Sequence, residues 1–437
     1  MTEFPKEWVA CKISDFSHIV MGQSPASSTY NSDEIGLPFY QGKAEFGDLY
    51  PEPVKYCNAP KKIAEKGSTL LSVRAPVGPT NIAPHRSCIG RGLAGIHPLG
   101  GVPDRFILYL FRGYEPVLSG QGKGTTFKAI TKDFLFDLSF ALPPLSEQVC
   151  ILEEIEALFS DLDNAIENLK SARVQLKVYR QAVLKYAFTG KLSNYGNIWE
   201  TKPLGQACQV VSGNTPKGVN EIYSMGEIPF YKVSDMNTEG NEVYLKKSKI
   251  NLSPNDCKKL KLKTYPAGTV VFPKRGGAIL TNKKRILSKE SAFDLNLMGV
   301  VPNDNVLERF LFNWFLLLDL GKLCDGSNVP QINHGDIEPL DFPFVPTEIQ
   351  KKVIVEIETR LSVCKNMEDA LDENLCKAEA LRQSILKQAF EGKLTEQWRK
   401  DHKDLISGVN SAEALLVKIK AEKEALQVKL KGKTNHD

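Results

Sequence analysis

Residues 180–192 read RQAVLKYAFTGKL and residues 382–394 read RQSILKQAFEGKL, with nine of thirteen positions identical. A chain that repeats a segment at a near-constant offset is built from copies of one plan, and this constrains its fold more than any single motif. The offset is 191 where Trp8 matches Trp199, Pro25 matches Pro216 and LPFY at 37–40 matches IPFY at 228–231. It is 201 for KGSTLLSVR (66–74) against AGTVVFPKR (267–275). It is 202 for GTTFKAITKDFLFDLSFALPPLSEQ (124–148) against GSNVPQINHGDIEPLDFPFVPTEIQ (326–350). The second copy therefore holds about eleven extra residues, most of them between Tyr231 and Gly268.

Each copy has two parts. The lobes, 1–142 and 198–344, are rich in Gly, Pro and Asn, and their short apolar runs STLLSV and GTVVFP read as strands between turns. One apolar helix is expected in each, at 105–112 and 308–318, which makes the class α+β. The second parts, 143–197 and 345–398, open after a proline and read as long helices. In the first, Ile151, Ile155, Leu158, Leu162, Ala165, Leu169, Ala172, Leu176, Tyr179, Val183 and Tyr186 fall at alternating steps of 4 and 3, a heptad seam. The same phase in the second copy meets Arg360, Asn374 and Gln388, polar residues expected to fix register within a buried seam. Gly190 and Gly392 are the expected left-handed caps. About forty-five residues make a helix roughly 65 Å long, and its apolar stripe needs a partner. The other copy supplies one, so an antiparallel pair of coiled-coil helices separating two lobes is expected. Residues 399–437 form a C-terminal extension with a helix at 412–431 and Leu416, Ile419, Leu426 and Leu430 on one face. It either extends a docking surface, packs on the long helices or remains a basic tail.

Charge and motifs narrow the function. Net charge is +4, yet Lys246 to Arg285 holds twelve Lys/Arg against one acid, Asp256, a local field suited to a polyanion. The longest apolar stretch, FLFNWFLLLDL at 310–320, is too short to span a bilayer and reads as a buried helix. The chain opens without a signal pattern, and nine scattered cysteines never form C-x-x-C, so a cytoplasmic setting is expected, with no disulfide framework and no metal site. There is no G-x-x-x-x-G-K-[ST], no N-P-P-[YF] and no H-E-x-x-H, the six histidines are isolated, and the lobe carboxylates form no nuclease cluster, so no catalytic residue is assigned. The closely matching helix ends present Arg180, Gln181, Lys185 and Lys191, with Arg382, Gln383, Lys387 and Lys393 as their equivalents, as one patch offered twice to two copies of one partner.

The two Gly/Pro-rich lobes, the PFY segments, the LPPLSEQ-type helix starts and the paired RQ-x-x-L-K-x-A-F-x-G-K-L helix ends resemble the specificity subunit of type I restriction–modification enzymes, over residues 1–398. The resemblance implies that each lobe is a target-recognition domain reading one half of a split double-stranded DNA sequence, with the helices as a ruler. It implies docking of two methyltransferase subunits and recruitment of restriction subunits, with S-adenosylmethionine, ATP and Mg on those partners and none here. On that footing the candidate DNA contacts in the second lobe are Lys274 and Arg275, before Gly276-Gly277, and the phosphate-clamping trio Lys283, Lys284 and Arg285. In the first lobe they are Arg74 and the glycine loop with Gln121, Lys123 and Thr125, followed by Lys128. GQSP (22–25) and GNTP (213–216) read as structural turns. A coiled-coil scaffold whose lobes bind proteins is the competing reading.

Overall fold

A computed structural model describes residues 4–120, 129–189, 199–221, 226–325 and 328–433, from 426 onward by backbone alone. The chain forms two compact units: Met1–Asn168 with Glu373–Asp437, and Leu169–Asp372.

In the first unit, strands Ser17–Met21, Leu93–Pro98, Thr69–Ser72 and Thr80–Ile82 lie side by side in that order, all antiparallel. The central run TLLS is buried along its whole length, as expected of a strand covered on both faces. One cover is the apolar helix Asp104–Leu118, whose Phe106, Ile107, Leu110 and Phe111 enter the main core. The other is a sheet of five short strands in which Leu37–Tyr40 runs parallel to Ser87–Ile89. The first and last strands of the lobe, Val9–Lys12 and Ser139–Leu142, pair with each other before the first long helix, Leu145–Phe188, begins.

The second unit follows the same succession. Cys208–Ser212, Leu297–Pro302, Val270–Pro273, Arg285–Leu287 and Tyr244–Leu245 form one sheet, and Ile228–Tyr231 runs parallel to Ala292–Phe293 in another. Glu200–Pro203 pairs with Asp341–Phe344 at the neck, ahead of the second long helix, Thr347–Phe390. The apolar helix Glu308–Phe315 is buried, and its Phe310, Trp314 and Phe315 stack against Phe188, Phe342 and Phe272.

The two long helices interact within each unit. In the first, Ile151, Ile155, Phe159 and Leu162 share a core with Ala378, Ile385, Leu386 and Ala389. Arg382 pairs there with Asp163, its guanidinium over the Phe159 ring. In the second, Arg173 pairs with Asp372 and Arg180 with Glu368, so the helices run in opposite directions. Only half of the expected seam is buried. Ile155, Leu162, Leu176 and Val183, and Ile357, Cys364, Ala378 and Ile385, all seven residues or a multiple of seven apart, are covered. In the alternate row Ile151 and Val353 are buried near the helix starts, whereas Ala165, Tyr179, Tyr186, Met367, Asn374, Leu381 and Gln388 are exposed. Asn374 and Gln388 are therefore not buried register-fixing residues, and the half-buried Arg360 pairs with Glu356 on its own helix (2.6 Å).

Gly392 caps the second long helix as expected. Its φ is +73°, its N–H reaches the Ala389 carbonyl, and Lys393 N–H reaches that of Gln388, the paired bonds of a Schellman end. Gly190 lies outside the described residues. Past the cap the chain turns back onto the first lobe and onto the start of the first long helix. Leu415 and Ile419 of helix Ala412–Lys433 pack on Gly100, Glu422 accepts from Gly100 N–H (2.9 Å), and Lys423 donates to the Ser14 carbonyl. The tail is anchored by a buried carboxylate at the start of the first long helix. Glu147 accepts from Trp8 Nε1 (2.9 Å), from Thr395 Oγ1 (2.7 Å) and from Arg399, which also holds the Gly392 carbonyl (2.6 Å). In the second unit Ile349 takes the place of Glu147, and Trp199 Nε1 is buried without a hydrogen-bond partner.

Candidate nucleic-acid interface

In both lobes the central buried strand ends in an outward-turned arginine. In the first, Val73 N–H bonds the Gly92 carbonyl, Ile130 N–H bonds the Val73 carbonyl (2.8 Å), and Arg74 bridges to Ala129. In the second, Lys274 N–H bonds the Asn296 carbonyl (2.8 Å), Ile332 N–H bonds that of Lys274 (2.9 Å), and Arg275 bridges to Gln331. One backbone frame thus presents Arg74 and Arg275 at corresponding places, and both side chains are exposed. Gly276 has φ +71° with open space where a Cβ would sit, so this turn brings bare backbone to the surface.

The trio after it divides. Lys284 is a correction to the phosphate-clamp expectation. It is 2% exposed, and its ammonium donates to Asn282 Oδ1 (2.6 Å) and the Leu318 carbonyl (2.7 Å), fastening the strand to the segment after the apolar helix. Burial pushes its pKa down to about 8. Asn282 sits at φ +54° and also accepts from Leu320 N–H (2.9 Å), so the clasp is local and internal. Arg285 is half-buried and donates to the Met236 (2.9 Å) and Lys284 (2.7 Å) carbonyls, a structural tie that leaves it little reach toward a ligand. Lys283 donates to Asn237 at the surface. Gln121, Lys123, Thr125 and Lys128 lie outside the described residues, as does Lys191.

Of the helix-end residues, Arg180 and Arg382 are engaged in the interhelical ion pairs. Gln181, Lys185, Gln383 and Lys387 face solvent, and exposed Lys393 pairs with Glu391 (2.7 Å). Val174 and Val178, 64% and 66% exposed, continue the stripe of Gln181 and Lys185 at helical spacing.

Sequence reasoning missed one group. Lys274 Nζ donates to Ser212 Oγ (2.9 Å), beside His334 and lysines from a distant segment. The sequence around Ser212 reads only as the edge of a turn, and His334 reads as a lone histidine. They stand 122 residues apart, and no local pattern links them. Among the described residues no group of His, Cys, Asp and Glu is placed to hold a metal ion, and no helix is long and apolar enough to cross a membrane.

This geometry agrees with what the chain resembles. A family model described as the type I restriction modification DNA specificity domain matches twice, over residues 5–175 and 197–373. The chain is 42% identical over 193 residues to the putative type I restriction enzyme MjaX specificity subunit of Methanocaldococcus jannaschii, a match spanning 44% of each chain. It is 25% identical to the StySPI specificity subunit of Salmonella potsdam across 96% of both. A chain in a solved structure on complex assembly of the type I R-M system superposes with a TM-score of 0.70 at 16% identity, covering 90% of this chain and 99% of that one, and so shares the fold.

Proposed function

The chain belongs to the type I restriction–modification DNA specificity family, as a non-catalytic specificity subunit, and we propose that each lobe reads one half of a bipartite DNA target while the paired helices set the distance between halves. What carries this reading is one frame with two faces. The lobes share the order of four central-sheet strands and the backbone bonds around Val73 and Lys274, yet around the common arginine Val73, Ala75 and Pro76 stand against Lys274, Gly276 and Gly277. Arg74 and Arg275 are the proposed readers, since arginine offers the fork that matches guanine in the major groove. The repeated plan, the coiled-coil pairing and the domain limits 1–142, 143–197, 198–344, 345–398 and 399–437 belong to the same proposal, supported by the common succession of elements.

The helices dock two methyltransferase subunits in this reading, and restriction subunits join the assembly. Support comes from uncovered seam residues within each unit: Leu381 beside Gln383 and Lys387 in the first, and Tyr179, Tyr186 and Met367 with Gln181 and Lys185 in the second. Apolar rows of this kind on a monomeric surface mark contact sites. S-adenosylmethionine, ATP and Mg act on those partners. The test is an added heptad in each long helix. Seven residues lengthen a helix by about 10 Å, roughly three base pairs of duplex. Methylation mapping should show both half-sites intact with the gap between them changed by about that amount, and an unchanged gap refutes the ruler.

A further inference from the structure

Ser212, Asn214, Lys261, Lys263, Tyr265 and His334 line a solvent-open cleft of about 430 Å³ in the second lobe. Behind it runs a chain of polar contacts. Lys274 Nζ donates to Ser212 Oγ (2.9 Å), Ser212 Oγ lies 3.0 Å from His334 Nε2, and His334 Nδ1 lies 3.4 Å from Glu338 Oε1. An ammonium only donates, so Ser212 accepts from Lys274 and passes its own proton toward Nε2, which leaves the imidazole proton on Nδ1 facing Glu338. Tyr265 donates to the Ser212 carbonyl (2.9 Å), fixing the floor.

Two further observations point to a ligand. Lys261 adopts φ +52° at the end of helix Pro254–Lys259, where Leu262 N–H bonds the Cys257 carbonyl (2.9 Å). That is the cap position where glycine is at ease and a lysine is not, so a lysine is held there against backbone preference. Moreover, the polar chain is private to this lobe. Met21 occupies the strand position of Ser212, each pairing with the neighbouring central strand, at Ala94 and Met298 respectively. Val73 stands in the backbone place of Lys274, and Lys132 opens the short helix that His334 opens here. All three differ together on an otherwise shared frame.

Resting on the reading of this lobe as DNA-binding, we propose that the cleft is a seat for a DNA backbone phosphate, contacted by Lys261, Lys263 and Lys274, with His334 acting through Ser212 as the positioning residue for Lys274. Lysine ammoniums are compact charges that suit phosphate oxygens. No carboxylate lines the cleft to neutralise them, and among the described residues none of the three is in an ion pair. The seat orients the duplex so that Arg275, next in the chain, meets base edges.

The experiment measures binding of the full chain, assembled with its modification subunits, to a duplex carrying its methylated target and to an unrelated duplex across a salt series. Lys261→Ala with Lys263→Ala should weaken both duplexes by the same factor and make the log K against log salt slope shallower by roughly 1.8, two contacts at about 0.9 each. His334→Ala should flatten it by up to about 0.9, and His334→Gln, whose amide oxygen can accept from Ser212, should restore it with an unchanged melting midpoint. A loss confined to the target duplex, or an unaltered slope in the lysine variant, overturns the phosphate seat. Absence of salt-dependent binding by the wild-type assembly would instead remove the DNA-binding reading beneath it.

Discussion

Replacing Glu147 by isoleucine, the residue at the corresponding position 349, tests how the C-terminal segment is held. The substitution strips from Arg399, a residue only 8% exposed, its buried carboxylate, leaving it the longer pair with Glu7 (3.8 Å), and leaves Trp8 Nε1 without its acceptor. Removing one member of a buried pair costs about 3–5 kcal/mol because the other charge stays desolvated. An orphaned buried N–H adds about 1–3 kcal/mol, though the two share one site and do not sum fully. For a body of this size each kcal/mol lowers the melting midpoint by roughly 2–4 °C, so the first unit should melt on the order of 10 °C earlier. Limited proteolysis should cut between residues 392 and 412 well before the long helices. Adding Arg399→Met should recover most of the loss, since apolar replacement of a whole buried pair is commonly neutral or stabilising. A single variant within about 1 kcal/mol of wild type, or a double variant no better than the single, would refute the claim that this pair fastens the tail.

Gly392→Ala should destabilise the first unit by about 1–3 kcal/mol in a denaturant titration, because the left-handed φ disfavours alanine and its Cβ would stand 2.4 Å from Pro5 Cγ. Lys284 titrates at the ordinary value of 10.5 when the chain is unfolded but near 8 when it is folded. The unfolded chain therefore binds more protons between those values, and the stability of the second unit, relative to Lys284→Met, should rise over that window by on the order of 3 kcal/mol and be flat below about pH 7. Arg275→Ala should relax one half-site and spare the other, costing about 1–3 kcal/mol in competition binding. An equal loss on all sequences would place Arg275 on a phosphate.

The features legible in the sequence are those with local or periodic causes. Long helices follow from heptad spacing, the Schellman end follows from Gly392, and the buried strands follow from apolar runs such as TLLS. The seam's half-exposure was not legible, because its two rows look alike in the sequence; here Ile155 is buried, while Tyr179 reaches Arg360 of the other long helix and stays exposed. Lys284 and Lys283 are adjacent and chemically identical, and only the carbonyls of the distant segment around Leu318 draw one inward. The Ser212–His334 contact joins residues 122 apart, and a single histidine carries no spacing to announce it.

The neck strands have a consequence for inheritance. Val9–Lys12 enters the first lobe beside Ser139–Leu142, which leaves it, and Glu200–Pro203 stands in the same way beside Asp341–Phe344. Each lobe is thus a loop of chain tied off by a four-residue ribbon whose pairing is made by backbone atoms and is indifferent to most side chains. A recombination event that crosses at the two ribbons imports a foreign lobe with its hydrogen-bonded doorway intact. On the proposed reading of each lobe as a target reader, new target preferences would then arise by transplantation in one generation, without a long series of point changes.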